Sequence, residues 1–174
     1  MDVFHEIKNR KKLEQCPDGV DHDEWEKFRN DYSKANSLEK LNHPVQVDIE
    51  LNSSCNMACP FCIHGYEMRP RKNLSFNQYK NIVDQAVALG VRGLKLNYLN
   101  EPMLRKDLEK CIKYAKNVGI LNVYFVTNGT LLNKKRRASI IESGVTKIFV
   151  SLDAVTEDTY NKQRSSRMKQ RVQQ

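Results

Sequence analysis

From residue 45 onward the chain alternates two kinds of pattern. Residues 45–51, Val-Gln-Val-Asp-Ile-Glu-Leu, place an apolar side chain at every second position, the period of a strand with one buried face. Ser75 with Gln78 three residues later forms a capping-box pattern. Tyr79, Ile82, Val83, Ala86 and Val87 follow as a helical apolar stripe, which stops at Gly90. The alternation then repeats. Residues 94–98 read as a second strand, and Leu108, Ile112 and Ala115 place a helix over about 105–118, ended by Gly119. Residues 122–126 read as a third strand, followed by a short helix capped by Asn133, running through Ile140 and Ile141 and ended at Gly144. Residues 147–152 read as a fourth strand, and Thr156 opens a last helix containing Tyr160, Met168 and Val172.

Four strands, each followed by a helix, predict an α/β fold with a parallel sheet and right-handed crossovers. The architecture expected is a partial (β/α) barrel of about four units. Upstream, Trp25, Phe28 and Tyr32 recur at spacings of three and four. They predict an amphipathic helix near 23–34, capped by Asp21 or Asp23. The expected division is an N-terminal helical leader at 1–43 and a core domain at 44–174. The aromatic stripe is read as packing against that core, with a partner surface as the alternative.

Composition narrows the class without naming a chemistry. The 174 residues are 40% hydrophobic and 29% charged, ordinary for a soluble globular chain. No apolar run approaches the ~18 residues of a membrane span, and the start lacks the apolar centre of a secretory signal. A cytoplasmic chain with reduced thiols and no membrane partner is expected. The net charge of +8 comes from 29 Lys and Arg against 21 Asp and Glu. The surplus sits at 8–12, 69–72, 134–137 and 164–171, without interleaved aromatics, so it reads as solvated faces and argues against a nucleic-acid partner.

The chemistry lies between the first strand and the first helix: Cys55-Asn-Met-Ala-Cys59-Pro-Phe-Cys62-Ile-His64. Three cysteines spaced x3 and x2 are a metal-site pattern. Three thiolates can hold three irons of a 4Fe-4S cluster, leaving one iron open to a small molecule. Zinc on Cys55, Cys59, Cys62 and His64 is the competing site, although structural zinc usually joins two ligand pairs across a longer loop. Disulfides suit small secreted domains and fit this chain poorly. Cys16, in a polar loop, and Cys111, inside a helix, read as bystanders.

The x3–x2 spacing with Phe61 directly before the third cysteine resembles the motif of the radical S-adenosylmethionine (radical SAM) enzymes. The resemblance implies a 4Fe-4S cluster on Cys55, Cys59 and Cys62 with S-adenosylmethionine chelating the fourth iron. In the family the reduced cluster cleaves S-adenosylmethionine to a 5′-deoxyadenosyl radical that abstracts hydrogen from substrate. Phe61 would lie near the adenine. Leu99-Asn100-Glu101-Pro102 is similar to the family's Gly-Gly-Glu-Pro segment, with both glycines replaced. There Asn100 and Glu101 would meet the amino group. Thr127-Asn128-Gly129, and Ser151 with Asp153, resemble its third and fourth strand ends, which approach the ribose or carboxylate. All these segments follow strands, so a parallel βα frame would bring them to one rim.

The resemblance covers about residues 44–164 and is nearest to members that carry a further cysteine-rich SPASM domain. It implies an oxidoreductase or transferase acting on a peptide, sugar or other small molecule, with an electron donor such as flavodoxin or ferredoxin. The family barrel has six strands and four are legible here. A truncated, catalytically silent iron–sulfur module is therefore the alternative reading, and a zinc-bound structural domain the third.

Overall fold

The computed structural model describes residues 15–66 and 70–164. The basic stretch at 8–12 and residues Arg69, Met168 and Val172 lie outside them. The elements are α1 (His22–Asn36), β1 (Gln46–Asp48), α2 (Ile63–Tyr66), α3 (Phe76–Ala88), β2 (Gly93–Lys95), a 3₁₀ turn (Pro102–Leu104), α4 (Leu108–Asn117), β3 (Asn122–Thr127), α5 (Lys134–Glu142), β4 (Lys147–Val150) and α6 (Glu157–Gln163). The strands form one parallel sheet in chain order, as the repeated βα pattern requires. Among the described residues no helix is long and apolar enough to cross a membrane.

The alternation along each strand becomes two unlike faces. Val47, Leu94 and Val123 stand opposite one another, and Phe125 stands opposite Ile148. This face carries the main core, closed by Tyr79, Val83 and Ala86 of α3, Leu108, Ile112 and Ala115 of α4 and Ile140 of α5. Cys111 is buried in it, and burial pushes its thiol up to about 11, as an inert small apolar residue should behave. The other register row runs Asp48, Lys95, Tyr124, Lys147. Lys95 Nζ stands 3.3 Å from Asp48 Oδ2, and Gln46 Nε2 donates to Asp48 Oδ1 (2.8 Å) and to the Tyr124 hydroxyl (3.0 Å). Parallel sheets are usually apolar on both faces; here only one face is.

The helix starts follow their local signals. Ser75 and Gln78 form the reciprocal capping box of α3; Asn133 caps α5 and Thr156 caps α6. Asp21, not Asp23, caps α1, its Oδ1 accepting from Glu24 N at 3.0 Å. Gly90, with φ 89°, takes the left-handed turn after α3. α1 seats Trp25 and Phe28 against Val45 and Leu121 in a second buried cluster. That seat needs Gly93: a Cβ there would stand 3.2 Å from both the Phe28 ring and Gln46 Cβ. The aromatic stripe of α1 therefore packs against the start of the sheet.

The strand and helix ends depart from the periodicity. β1 ends at Asp48 instead of Leu51: past it, the Glu50 side chain accepts from Leu99 N (3.1 Å) and the Leu51 carbonyl accepts from Leu74 N (3.0 Å). β2 ends at Lys95, and Asn97 Oδ1 takes the Val126 N–H at 2.8 Å in place of a ladder carbonyl. The helix expected from about 105 begins at Leu108, because Arg105 and Asp107 pair with each other.

Candidate functional site

Each strand delivers its special residues at its C-terminal end, and the parallel frame gathers those ends. Cys55, Cys59 and Cys62 line one cavity together with Phe61, Asn100, Glu101, Thr127, Asn128 and Ser151. The site residues expected from sequence thus share one rim, apart from Asp153, which is not on the cavity wall. Asp153 instead pairs with Arg164, and Arg164 is on the wall.

The cysteine loop is fixed by its own backbone and by its neighbours. Cys62 N donates to Cys59 O (3.0 Å) and Met57 N to Cys55 Sγ (3.4 Å). Asn52 Oδ1 accepts from Ser54 N at 2.9 Å. Ser54 O in turn accepts from Glu101 N at 2.9 Å, tying the loop to the end of β2. Cys59 is buried, whereas Cys55 and Cys62 are half-buried. Burial pushes the Cys59 thiol above its ordinary value, and the adjacent Arg164 guanidinium pulls it back down.

Glu101 is the hub of the rim. Its carboxylate is buried and accepts from Met103 N (3.0 Å) and Thr127 Oγ1 (2.7 Å) at Oε1, and from Asn128 N (2.8 Å) at Oε2. A carboxylate has about four acceptor positions, so three internal donors leave one for a ligand. Thr127 and Asn128 are mostly engaged within the protein. Thr127 Oγ1 also accepts from Gly129 N (3.1 Å), and the Asn128 amide donates to Asn56 Oδ1 (2.9 Å) while accepting from Thr130. Asn100 differs. It is buried, its Oδ1 accepts from Tyr98 N at 3.0 Å, and its Nδ2 has no hydrogen-bond partner among the described residues although Asn100 borders the cavity. A buried donor of that kind costs about 1–3 kcal/mol until an acceptor arrives.

Arg164 has no site signal in the sequence, where it opens a polar basic run. Its guanidinium lies 5.5 Å from the centre of the Phe61 ring, beside Cys59 and paired with Asp153. Asn97 is a further wall residue that no motif announces, read from sequence only as part of a strand, and Met57 is a wall residue from inside the cysteine motif itself. Cys16, by contrast, lies away from the cavity and directs its thiol at Val20 O (3.4 Å).

The donor set can be tested against the two metals that three cysteines suggest. Among the described residues no three His, Cys, Asp or Glu side chains converge to hold a single metal ion. A 4Fe-4S cluster needs three thiolates spread over three irons on one wall with room beside them. Shared lining of one cavity by Cys55, Cys59 and Cys62, with Asn100 offering an unpaired donor, fits the cluster.

Comparison with known proteins agrees. The Radical SAM superfamily profile matches residues 49–173. The chain is 33% identical over 131 residues to a GTP 3′,8-cyclase of Aquifex aeolicus, covering 72% of this chain and 40% of that protein. It is 28% identical over 126 residues to a PqqA peptide cyclase of Bradyrhizobium diazoefficiens, covering 71% of this chain and 32% of the relative. The crystal structure of BtrN in complex with AdoMet and 2-DOIA superposes with a TM-score of 0.60 at 26% identity, over 67% of this chain and 48% of that one. The chain thus spans less than half the length of the curated relatives it matches.

Proposed function

The chain belongs to the radical SAM superfamily, and on that premise we propose that it holds a 4Fe-4S cluster on Cys55, Cys59 and Cys62 and binds S-adenosylmethionine beside it. The observation that carries this reading is the single cavity lined by all three cysteines and by the ends of β2, β3 and β4. When bound, the reduced cluster supplies the electron that cleaves S-adenosylmethionine to a 5′-deoxyadenosyl radical for C–H activation.

The residues of the rim divide that work. Glu101 offers its remaining carboxylate acceptor to the ammonium, a charge-assisted bond. Asn100 Nδ2 donates to the carboxylate, which relieves its own buried N–H. The Ser151 hydroxyl serves the ribose, where both donation and acceptance are needed. Phe61, 58% exposed at the cavity mouth, offers a ring face to the adenine. Thr127, Asn128 and Asp153 act indirectly: the first two lock Glu101 and Asn56, and Asp153 holds Arg164. The substrate is a peptide, a sugar or another small molecule, a range that includes relatives named as cyclases of a peptide and of GTP. The reaction is oxidative or group-transferring, a flavodoxin or ferredoxin supplies the electron, and the chain works in the cytoplasm.

Anaerobic reconstitution tests the reading, with about four irons and four sulfides per chain expected. S-adenosylmethionine should then perturb the EPR spectrum of the reduced cluster. Stoichiometric zinc without sulfide would overturn it. A second reading, an iron–sulfur module without turnover, draws on the exposed apolar side chains of β4. It predicts the same metal content but no 5′-deoxyadenosine.

A further inference from the structure

The cysteine loop runs from Leu51, past the end of β1, to Leu74, just before α3, and its two ends meet as a narrow neck. Asn52 and Asn73 form an isolated antiparallel bridge. Ser53 N donates to Lys72 O (2.9 Å), Lys72 N to Ser53 Oγ (2.8 Å) and Leu74 N to Leu51 O (3.0 Å). A two-stranded neck of this length is marginal by itself in water. At its base lies Arg105, only 7% exposed although charged. A single nitrogen, Nη1, donates to both ends of the loop, to Leu51 O at 3.0 Å and to Leu74 O at 2.6 Å. The rest of the guanidinium forms a fork with one carboxylate, Nε to Asp107 Oδ1 (2.8 Å) and Nη2 to Asp107 Oδ2 (3.1 Å). That fork fixes the plane of the group and pairs its charge with a carboxylate. Arg136 Nη2 donates to the Arg105 carbonyl at 2.6 Å and steadies the backbone beneath.

We propose that Arg105 is a positioning residue for the metal site, a clasp that holds the two ends of the cysteine loop together. Arg105 does not line the cysteine cavity. It acts through the loop: the strand side of the neck continues into Ser54, whose carbonyl accepts from Glu101 N, and Asn52 Nδ2 donates to Glu101 O at 3.3 Å. Closing the neck therefore sets where Cys55 stands relative to Glu101. A lysine at 105 would keep the charge but lose the fork and its fixed direction. The consequence for iron rests on the cluster reading above, while the consequence for the neck does not.

The test is hydrogen exchange on metal-free protein carrying Arg105→Lys. The Ser53 and Leu74 amides should exchange at least about tenfold faster, the loss of two bonds from a charged donor. The Leu96 and Ile120 amides, bonded to Tyr124 O and Ala115 O in the frame, should be unchanged. Uniform acceleration at all four amides, or none at any, would overturn the clasp. Asp107→Asn keeps Arg105 and weakens only the fork, so it should give a smaller effect at the same two amides. It carries the test if Arg105→Lys fails to fold. After reconstitution, Arg105→Lys should release iron to a chelator faster than the parent chain. If the parent chain takes up no iron and sulfide, the cluster reading fails, and the exchange contrast still decides the clasp.

Discussion

The two ends of the sheet are built by different physics. At the N-terminal end, Trp25 and Phe28 of α1 close on Val45 and Leu121, and Gly93 lets the ring approach. This end is held by buried area, which is non-directional and tolerant of swaps that conserve volume. At the C-terminal end, one carboxylate takes three donors and one guanidinium joins two loop ends. Directional bonds of this kind are intolerant even of isosteric replacement, since each buried partner left unmet costs about 1–3 kcal/mol. The frame thus spends its apolar surface where it only needs to be closed and its polar groups where ligands must be placed.

Substitutions at the two ends should separate these roles. The largest effect expected is at the rim: Cys55→Ala, Cys59→Ala or Cys62→Ala should abolish iron and sulfide uptake, whereas Cys16→Ala and Cys111→Ala should keep it, as measured by metal and sulfide analysis. Retention of a full cluster after loss of Cys59 would break the assignment. At the closed end, Trp25→Ala removes a fully buried ring and should cost about 3–5 kcal/mol in denaturant unfolding. Below its transition this variant should still take up iron. Loss of iron with the fold intact would mean that the two ends are coupled.

Glu101→Gln is the sharper probe of directionality. The replacement changes almost no volume but turns one acceptor into a donor facing Asn128 N–H or the Met103 and Thr127 donors. A loss of about 1–3 kcal/mol in stability is expected, together with a weaker effect of S-adenosylmethionine on the EPR spectrum. A variant as stable as the parent would show that the rim network is slack. The smallest effect concerns β4, an outer strand among the described residues, with Phe149 42% and Val150 49% exposed and Leu152, two residues past its end, 66% exposed. Uncovered edges of this kind recruit other chains. Residues 1–174 should self-associate in light scattering coupled to size exclusion, and Phe149→Lys with Leu152→Lys should shift the distribution toward monomer. A clean monomer for the parent chain would remove β4 as a contact surface.

The sequence by itself determined the elements whose signals are local. The capping box of Ser75 and Gln78 spans three residues, the stripe of α3 repeats every three or four, and the cysteine triplet lies within one short loop. The strand-then-helix order was enough to place every expected loop at the same end of a parallel sheet. Tertiary structure decided which of those residues face the cavity and which brace it. Glu101 meets Thr127 across 26 positions of chain, and Arg105 meets Leu51 across 54. No period or spacing encodes such pairs: the first joins two side chains far apart in the chain, and the second ends on a backbone carbonyl of a kind every residue carries. The ends of β1 and β2 were equally out of reach, since the Leu51 carbonyl accepts from Leu74 and the Asn97 side chain takes the Val126 N–H, partners brought near only by folding. Arg164 read as part of a solvated basic run because only the packed chain sets its charge beside Cys59 and over Phe61.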